Sequence, residues 1–170
     1  MQTLFTNPKV DPSQHPDLNQ YFAFGISVDC VVFGYDGVDV KVLLIKRGTE
    51  PFLEYQAIPG DLVHPKEDAV TATQRVLKDL TGLQNIYLEQ LQTFAGVDRH
   101  PLGRVATIAY FSLLRIEDYN PKPSSWATDA QWTPIQQLGE MAFDHKEIFD
   151  VALERLQRRV RHKPVGFELL

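Results

Sequence analysis

The segment Pro59-Gly60-Asp61-Leu62-Val63-His64-Pro65-Lys66-Glu67-Asp68-Ala69-Val70-Thr71-Ala72-Thr73-Gln74-Arg75-Val76-Leu77-Lys78-Asp79-Leu80-Thr81-Gly82-Leu83 reads as a tight loop followed by one amphipathic helix. The spacing predicts a helix over residues 67–80. Its positions Ala69, Val70, Thr73, Val76, Leu77 and Leu80 recur at three- and four-residue steps, as they do on one face of an α-helix. Gly82 stands where a left-handed C-terminal cap belongs, and Leu83 is placed to cover the helix end.

Upstream, residues 24–33 are β-branched and aromatic and stop at Gly34-Tyr35-Asp36-Gly37; Val40-Lys41-Val42-Leu43-Leu44-Ile45-Lys46 follows. Two strand-like runs around a turn rich in Gly and Asp predict a hairpin. Residues 1–20 are polar and punctuated by Pro8, Pro12 and Pro16, an arm rather than core. Downstream, strands are expected near residues 86–96 and 105–114, then a Pro/Ser loop at 120–125 and a short strand at 129–133. A long helix closes the chain. Asp144 is its expected N-cap, with Glu147 three residues on as in a capping box, and Ile148, Val151, Ala152, Arg155 and Leu156 form its stripe. Its basic end, Arg155 to Lys163, has two readings: cations favoured at the C-terminal end of a helix dipole, or a phosphate-contacting stripe. This order of elements predicts an α/β fold, a mixed sheet between helices, with an arm at 1–20 and one domain at 21–170.

Composition narrows the function classes. At 170 residues with 44% hydrophobic and 23% charged side chains, the chain has the makings of a single packed core. A net charge of −5 offers no general attraction to nucleic acid or anionic membrane. Cys30 is the only cysteine, which excludes an intrachain disulfide and a cysteine-rich zinc site; within an apolar run it reads as a small core residue. No apolar run is long enough to span a bilayer and the start lacks a secretory signal pattern, so no membrane partner and a cytoplasmic location are expected.

Residues 61–83 resemble the Nudix box: Gly, five residues, Glu, seven residues, Arg-Glu, an aliphatic, any residue, Glu-Glu, any residue, Gly, an aliphatic. In that register Glu67, Arg75, Leu77, Gly82 and Leu83 match, and Asp61 replaces the first Gly. Val76 replaces the second Glu, and Asp79-Leu80 replaces the Glu-Glu pair. Val42-Leu43-Leu44-Ile45-Lys46-Arg47 is similar to the strand that precedes the Nudix loop. The run Gly96-Val97-Asp98-Arg99-His100-Pro101-Leu102-Gly103-Arg104-Val105 is similar to a segment of ADP-ribose-type Nudix proteins and Nudix-related transcriptional regulators. Ala142-Phe143-Asp144-His145 and Pro164-Val165-Gly166-Phe167-Glu168-Leu169-Leu170 resemble the regulator branch. The resemblance implies a Nudix-type mixed sheet sandwiched between helices, a small-molecule effector (an ADP-ribose-like nucleotide, or a sugar such as arabinose), and a homodimer. It also implies DNA contact through a winged-helix domain expected to begin about where this chain stops.

In working Nudix hydrolases, carboxylates three and four residues apart on the helix hold Mg²⁺ against a diphosphate. Val76 and Leu80 offer no oxygen to such an ion, and as buried side chains they gain about 1.5–3 kcal/mol each. Glu67 and Asp79 are the carboxylates left to act as catalytic groups or metal ligands, and Mg²⁺ is implied only if the chain is a hydrolase. Arg47, Arg99 and Arg104 are candidate ligand contacts, because guanidinium forks suit phosphate and sugar hydroxyls. Gln56 is a further candidate ligand contact, standing near the cleft where many relatives carry an aromatic; Phe52 has two readings, a substitute for that aromatic or core and loop packing. Arg75 is expected in a structural ion pair, and His64, His145 and His162 carry no catalytic assignment. Three functions stay open: effector sensing, favoured by the altered helix; divergent hydrolysis of ADP-ribose or a related nucleoside diphosphate; and a purely structural dimerisation module.

Overall fold

The apolar run after Phe24 forms β1, Gly25–Tyr35, whose residues from Ser27 to Gly34 are all buried, because helices cover both faces of the sheet there. A computed structural model describes residues 24–162, with the backbone alone for His162. The expected arm at 1–20 and the regulator-like ending at 164–170 lie outside the described residues. β1 runs antiparallel to β2, Val40–Arg47, around the expected turn, where Asp36 Oδ1 accepts from the Val38 and Asp39 amides. β1 and β2 pair only from Phe33 opposite Val42 to Tyr35 opposite Val40, and then part. Two strands too short to show in any periodicity fill the split. β3, Gln56–Ala57, pairs with β2, and β4, Gly60–Leu62, pairs with β1. Between them Pro59 accepts from the Cys30 amide at 2.9 Å.

On its other side β1 lies parallel to β6, Val105–Arg115, along its whole length; β5, Glu89–Phe94, is antiparallel to β6. β7, Ala127–Pro134, pairs with the outer side of β2 and completes a seven-stranded mixed sheet. The expected strand at 86–96 is shorter because Ile86 turns into the core beneath the first helix, where its carbonyl accepts from Gln74.

Alternation along β1 assigns the two faces. Val28, Cys30 and Val32 meet α1, Ala69–Thr81; Val31 and Phe33 meet α2, His145–His162. α1 starts two residues later than the spacing suggested, because Asp68 is its N-cap and accepts from the Thr71 amide at 2.7 Å. Glu67 is therefore outside the helix. Gly82 caps it in the left-handed region, at φ 74°, with its amide on the Lys78 carbonyl. At the end of α2, Arg155 and Arg159 both meet Glu89 and Arg158 meets Glu154, so much of the basic cluster is paired locally. No helix among the described residues is long and apolar enough to cross a membrane.

Candidate functional site

α1 carries Val76 and Leu80 into the core, 0% and 1% exposed, clustered with Val28, Ile45, Ala57 and Tyr110. The same helix turns Arg75 back over the preceding loop. Arg75 Nε donates to both oxygens of Glu67 at 3.1 Å, and Nη2 donates to Glu67 Oε1 at 2.7 Å and to the Leu62 carbonyl at 2.9 Å. Glu67 also accepts from the His64 amide. These bonds, Arg75 first, hold the Glu67 carboxyl down at about 2. Asp79 is exposed and lines a shallow groove with Thr71, Arg75 and Lys78; Glu67, which Arg75 holds, is not among the lining residues.

A cleft of about 230 Å³ opens where β4, the end of β2, the 95–104 loop and the start of α2 converge. Four planar groups are stacked on its wall. The Arg47 guanidinium lies 4.8 Å from the Trp126 ring centre and 4.9 Å from that of Phe143, and Phe143 stacks on His100 at 5.1 Å and 15°. Arg47 is 8% exposed and spends Nε on the Pro51 carbonyl at 2.7 Å; its terminal nitrogens have no protein partner among the described residues. Phe143 adopts a left-handed backbone, φ 54°, a strained setting for an aromatic residue that tertiary packing must hold. Burial, then the nearby Arg99 and Arg47, push the His100 pKa below its ordinary value, which favours the uncharged ring.

Behind the stack lies a buried polar network. Arg99 donates from Nε and Nη2 to the two carboxylate oxygens of Asp144, both at 2.7 Å, and Nη2 lies 3.4 Å from Asp29 Oδ2. His145 Nδ1 accepts from the Ile58 amide at 3.0 Å. This leaves the ring proton on Nε2, which faces Asp29 Oδ1 at 3.4 Å. Burial of Asp29 alone would favour the neutral acid; His145 and Arg99 outweigh it and hold the carboxyl below the ordinary carboxylate range. Gly60 closes the other side. A Cβ there would stand 1.9 Å from Asp29 Oδ1 and 2.9 Å from the Val28 carbonyl, so no larger residue fits without displacing Asp29.

Residues 23–152 match the family model described as NUDIX domain. The chain belongs to the Nudix family. It is 28% identical over 149 residues to the ADPR responsive transcriptional repressor NtrR of Acinetobacter baylyi, an alignment covering 85% of this chain and 59% of that protein. To the ADP-ribose pyrophosphatase of Methanocaldococcus jannaschii it is 34% identical over 116 residues, 66% of this chain and 68% of the enzyme. Among solved structures, the NUDIX domain of Shewanella oneidensis NrtR complexed with ADP ribose matches with a TM-score of 0.76 at 28% identity, covering 88% of this chain and 99% of that one. This Nudix domain is thus related both to an ADP-ribose-responsive regulator and to ADP-ribose pyrophosphatases, and it spans about three fifths of the length of the repressor.

Set on the Nudix frame, α1 is the box helix. Mg²⁺ does not fit its donor set: Val76 and Leu80 bring no oxygen, Glu67 has both oxygens on Arg75, and Asp79 is left as the one carboxylate on α1. Among the described residues no group of three or more His, Cys, Asp or Glu side chains is placed to hold a metal ion. Of the sequence candidates for ligand contact, Arg47 and Arg99 line the Nudix cleft. Arg104 does not. Its guanidinium lies 5.8 Å from the exposed Phe24 ring, with Nη1 buried and without a partner among the described residues. Gln56 is also set back: it pairs with Lys46 in the sheet, and its carbonyl accepts from the Ala142 amide. Phe52 packs edge-on against Phe143. Asp144 caps no amide in the way the sequence suggested; both its oxygens serve Arg99.

Sequence reasoning missed Asp29, His100, Trp126 and Phe143 as cleft residues and gave His145 no catalytic assignment. For Asp29 a signal existed. A carboxylate in the middle of an otherwise apolar strand needs a buried partner, and so points to a polar network. Trp126 and Phe143 carried none, because their stacking depends on chain returns from distant segments.

Proposed function

We propose that this Nudix domain binds an ADP-ribose-like nucleotide in the cleft and leaves it intact, as the sensing part of a transcriptional regulator. The observation that carries the reading is the burial of Val76 and Leu80: the positions that would present metal-binding carboxylates are core packing instead. The cleft keeps what recognition needs. Among the described residues the terminal nitrogens of Arg47 have no partner, which leaves them for phosphate or ribose oxygens, and the stacked rings beside it offer faces to a planar base. The kinship with an ADPR-responsive repressor and with an NrtR domain complexed with ADP ribose supports the choice of ligand. The reading includes a homodimer in the cytoplasm. It assigns DNA contact to a winged-helix module rather than to this acidic domain.

Calorimetric titration with ADP-ribose, NAD and arabinose tests it. Saturable binding of ADP-ribose, with the nucleotide recovered whole, is the expected result; no binding of any of the three at millimolar concentration overturns it. The 34% identity to a pyrophosphatase favours a second reading, divergent hydrolysis. Release of AMP that needs Mg²⁺ or Mn²⁺ and is lost in Asp79→Ala would establish that reading.

A further inference from the structure

Charge in the cleft poses a problem for an anionic ligand. Arg47 and Arg99 face Asp29 and Asp61 across it, and Asp144 lies behind on Arg99. His100 is stacked on Phe143 with Nδ1 accepting from the Leu102 amide, and His145 already accepts from the Ile58 amide at Nδ1. With Val76 and Leu80 at the metal-binding positions, α1 presents no carboxylate there to hold a divalent ion against a diphosphate, and its Arg75 is already paired with Glu67. A guanidinium already neutralised by two carboxylates attracts a further anion weakly unless one carboxylate leaves.

We infer that Arg99 is a partner-exchange switch: Asp144 holds it here, and the ligand's anionic group takes the place of Asp144, releasing the first turn of α2. This rests on the effector-binding reading above and adds how binding is transmitted. Asp144 is the carboxylate to yield. Asp29 is fixed by His145 and Gly60 and sits 3.4 Å from Arg99, whereas Asp144 is more exposed, 17% against 6%, at the boundary of a helix. Three consecutive residues fasten α2 to the cleft: Phe143 through the stack, Asp144 through Arg99, and His145 through Ile58. The Asp144 carbonyl also receives the Ile148 amide, so movement of Asp144 disturbs the first helical bond directly. From there α2 runs about 27 Å. Near its far end Leu156 and Arg159 line a second cleft of about 560 Å³ with Ile86, Leu113 and Tyr119. A shift of α2 would thus register on a surface remote from the ligand.

The test compares the parent domain with Asp144→Asn, using ADP-ribose and inorganic pyrophosphate as probes. The amide in this variant lacks the competing charge, so both probes should bind about tenfold more tightly by calorimetry. In the parent, ADP-ribose should speed amide hydrogen exchange in the first turn of α2, while Arg99→Gln should abolish the effect. Equal or weaker binding in Asp144→Asn would mean that Asp144 merely positions Arg99, and overturns the switch while leaving the effector reading intact. If neither protein binds either probe, the effector reading itself falls and takes the switch with it. Should Asp144→Asn lose its fold by circular dichroism, the exchange measurement on the parent decides alone: unchanged or slowed exchange on binding overturns the proposal.

Discussion

Val76 sits at 0% exposure among Val28, Ile45 and Tyr110, in a place where a carboxylate would find no water. Val76→Glu should therefore destabilise the domain by about 3–5 kcal/mol at pH 7 rather than rebuild a metal site. Burial raises the pKa of the new acid above its unfolded value, so the penalty is full at high pH and shrinks as pH falls. Urea denaturation at pH 7 and pH 5 checks this. Glu67 has the opposite sign. Its folded pKa of about 2 lies below the ordinary 4.5, so the Arg75 pair stabilises above the ordinary value, and that contribution is lost as pH falls toward 2. Glu67→Gln should thus melt below the parent at pH 7, with the gap closing as melting scans move from about pH 5 to about pH 2.

The elements differ in how far residue types could announce them. β1, β2, β6 and α1 were legible because each carries its own period or an apolar run long enough to read, and Gly82 marked the end of α1 through the backbone it must adopt. β3 and β4 were not, being two and three residues long and held in place by the parting of β1 from β2. Half of the candidate site was equally hidden. Arg47 and Arg99 were visible as arginines beside Pro- and Gly-containing loops, but the aromatic stack and the Asp29 network exist only once distant segments meet. The glycines give this scale its predictions. Gly82→Ala forces a side chain into the left-handed region and should cost about 1–2 kcal/mol, read by chemical denaturation. Gly60→Ala should displace Asp29 from His145 and Arg99, lowering both the melting temperature and the affinity for ADP-ribose. Gly139→Ala, where a methyl meets open space, should stay within about 0.5 kcal/mol of the parent.

At the scale of the whole molecule, both faces of the sheet are core and the cleft draws on both. The α1 face packs through Val76, Leu77 and Leu80, and the α2 face through Val31, Phe33, Ile148 and Phe149. Around the cleft Trp126 and Phe143 pack against the α1-side cluster, while Asp144 and His145 tie the start of α2 to Arg99 and Asp29. The box helix serves packing at the positions where a hydrolase presents carboxylates, and on that the proposed reading rests. The most direct measurement is a calorimetric titration of ADP-ribose run once with Mg²⁺ and once with a chelator, followed by chromatography of the nucleotide. A sensing domain should give the same affinity in both runs and return ADP-ribose unchanged. Steady Mg²⁺-dependent conversion to AMP, absent in the chelated sample, would contradict it.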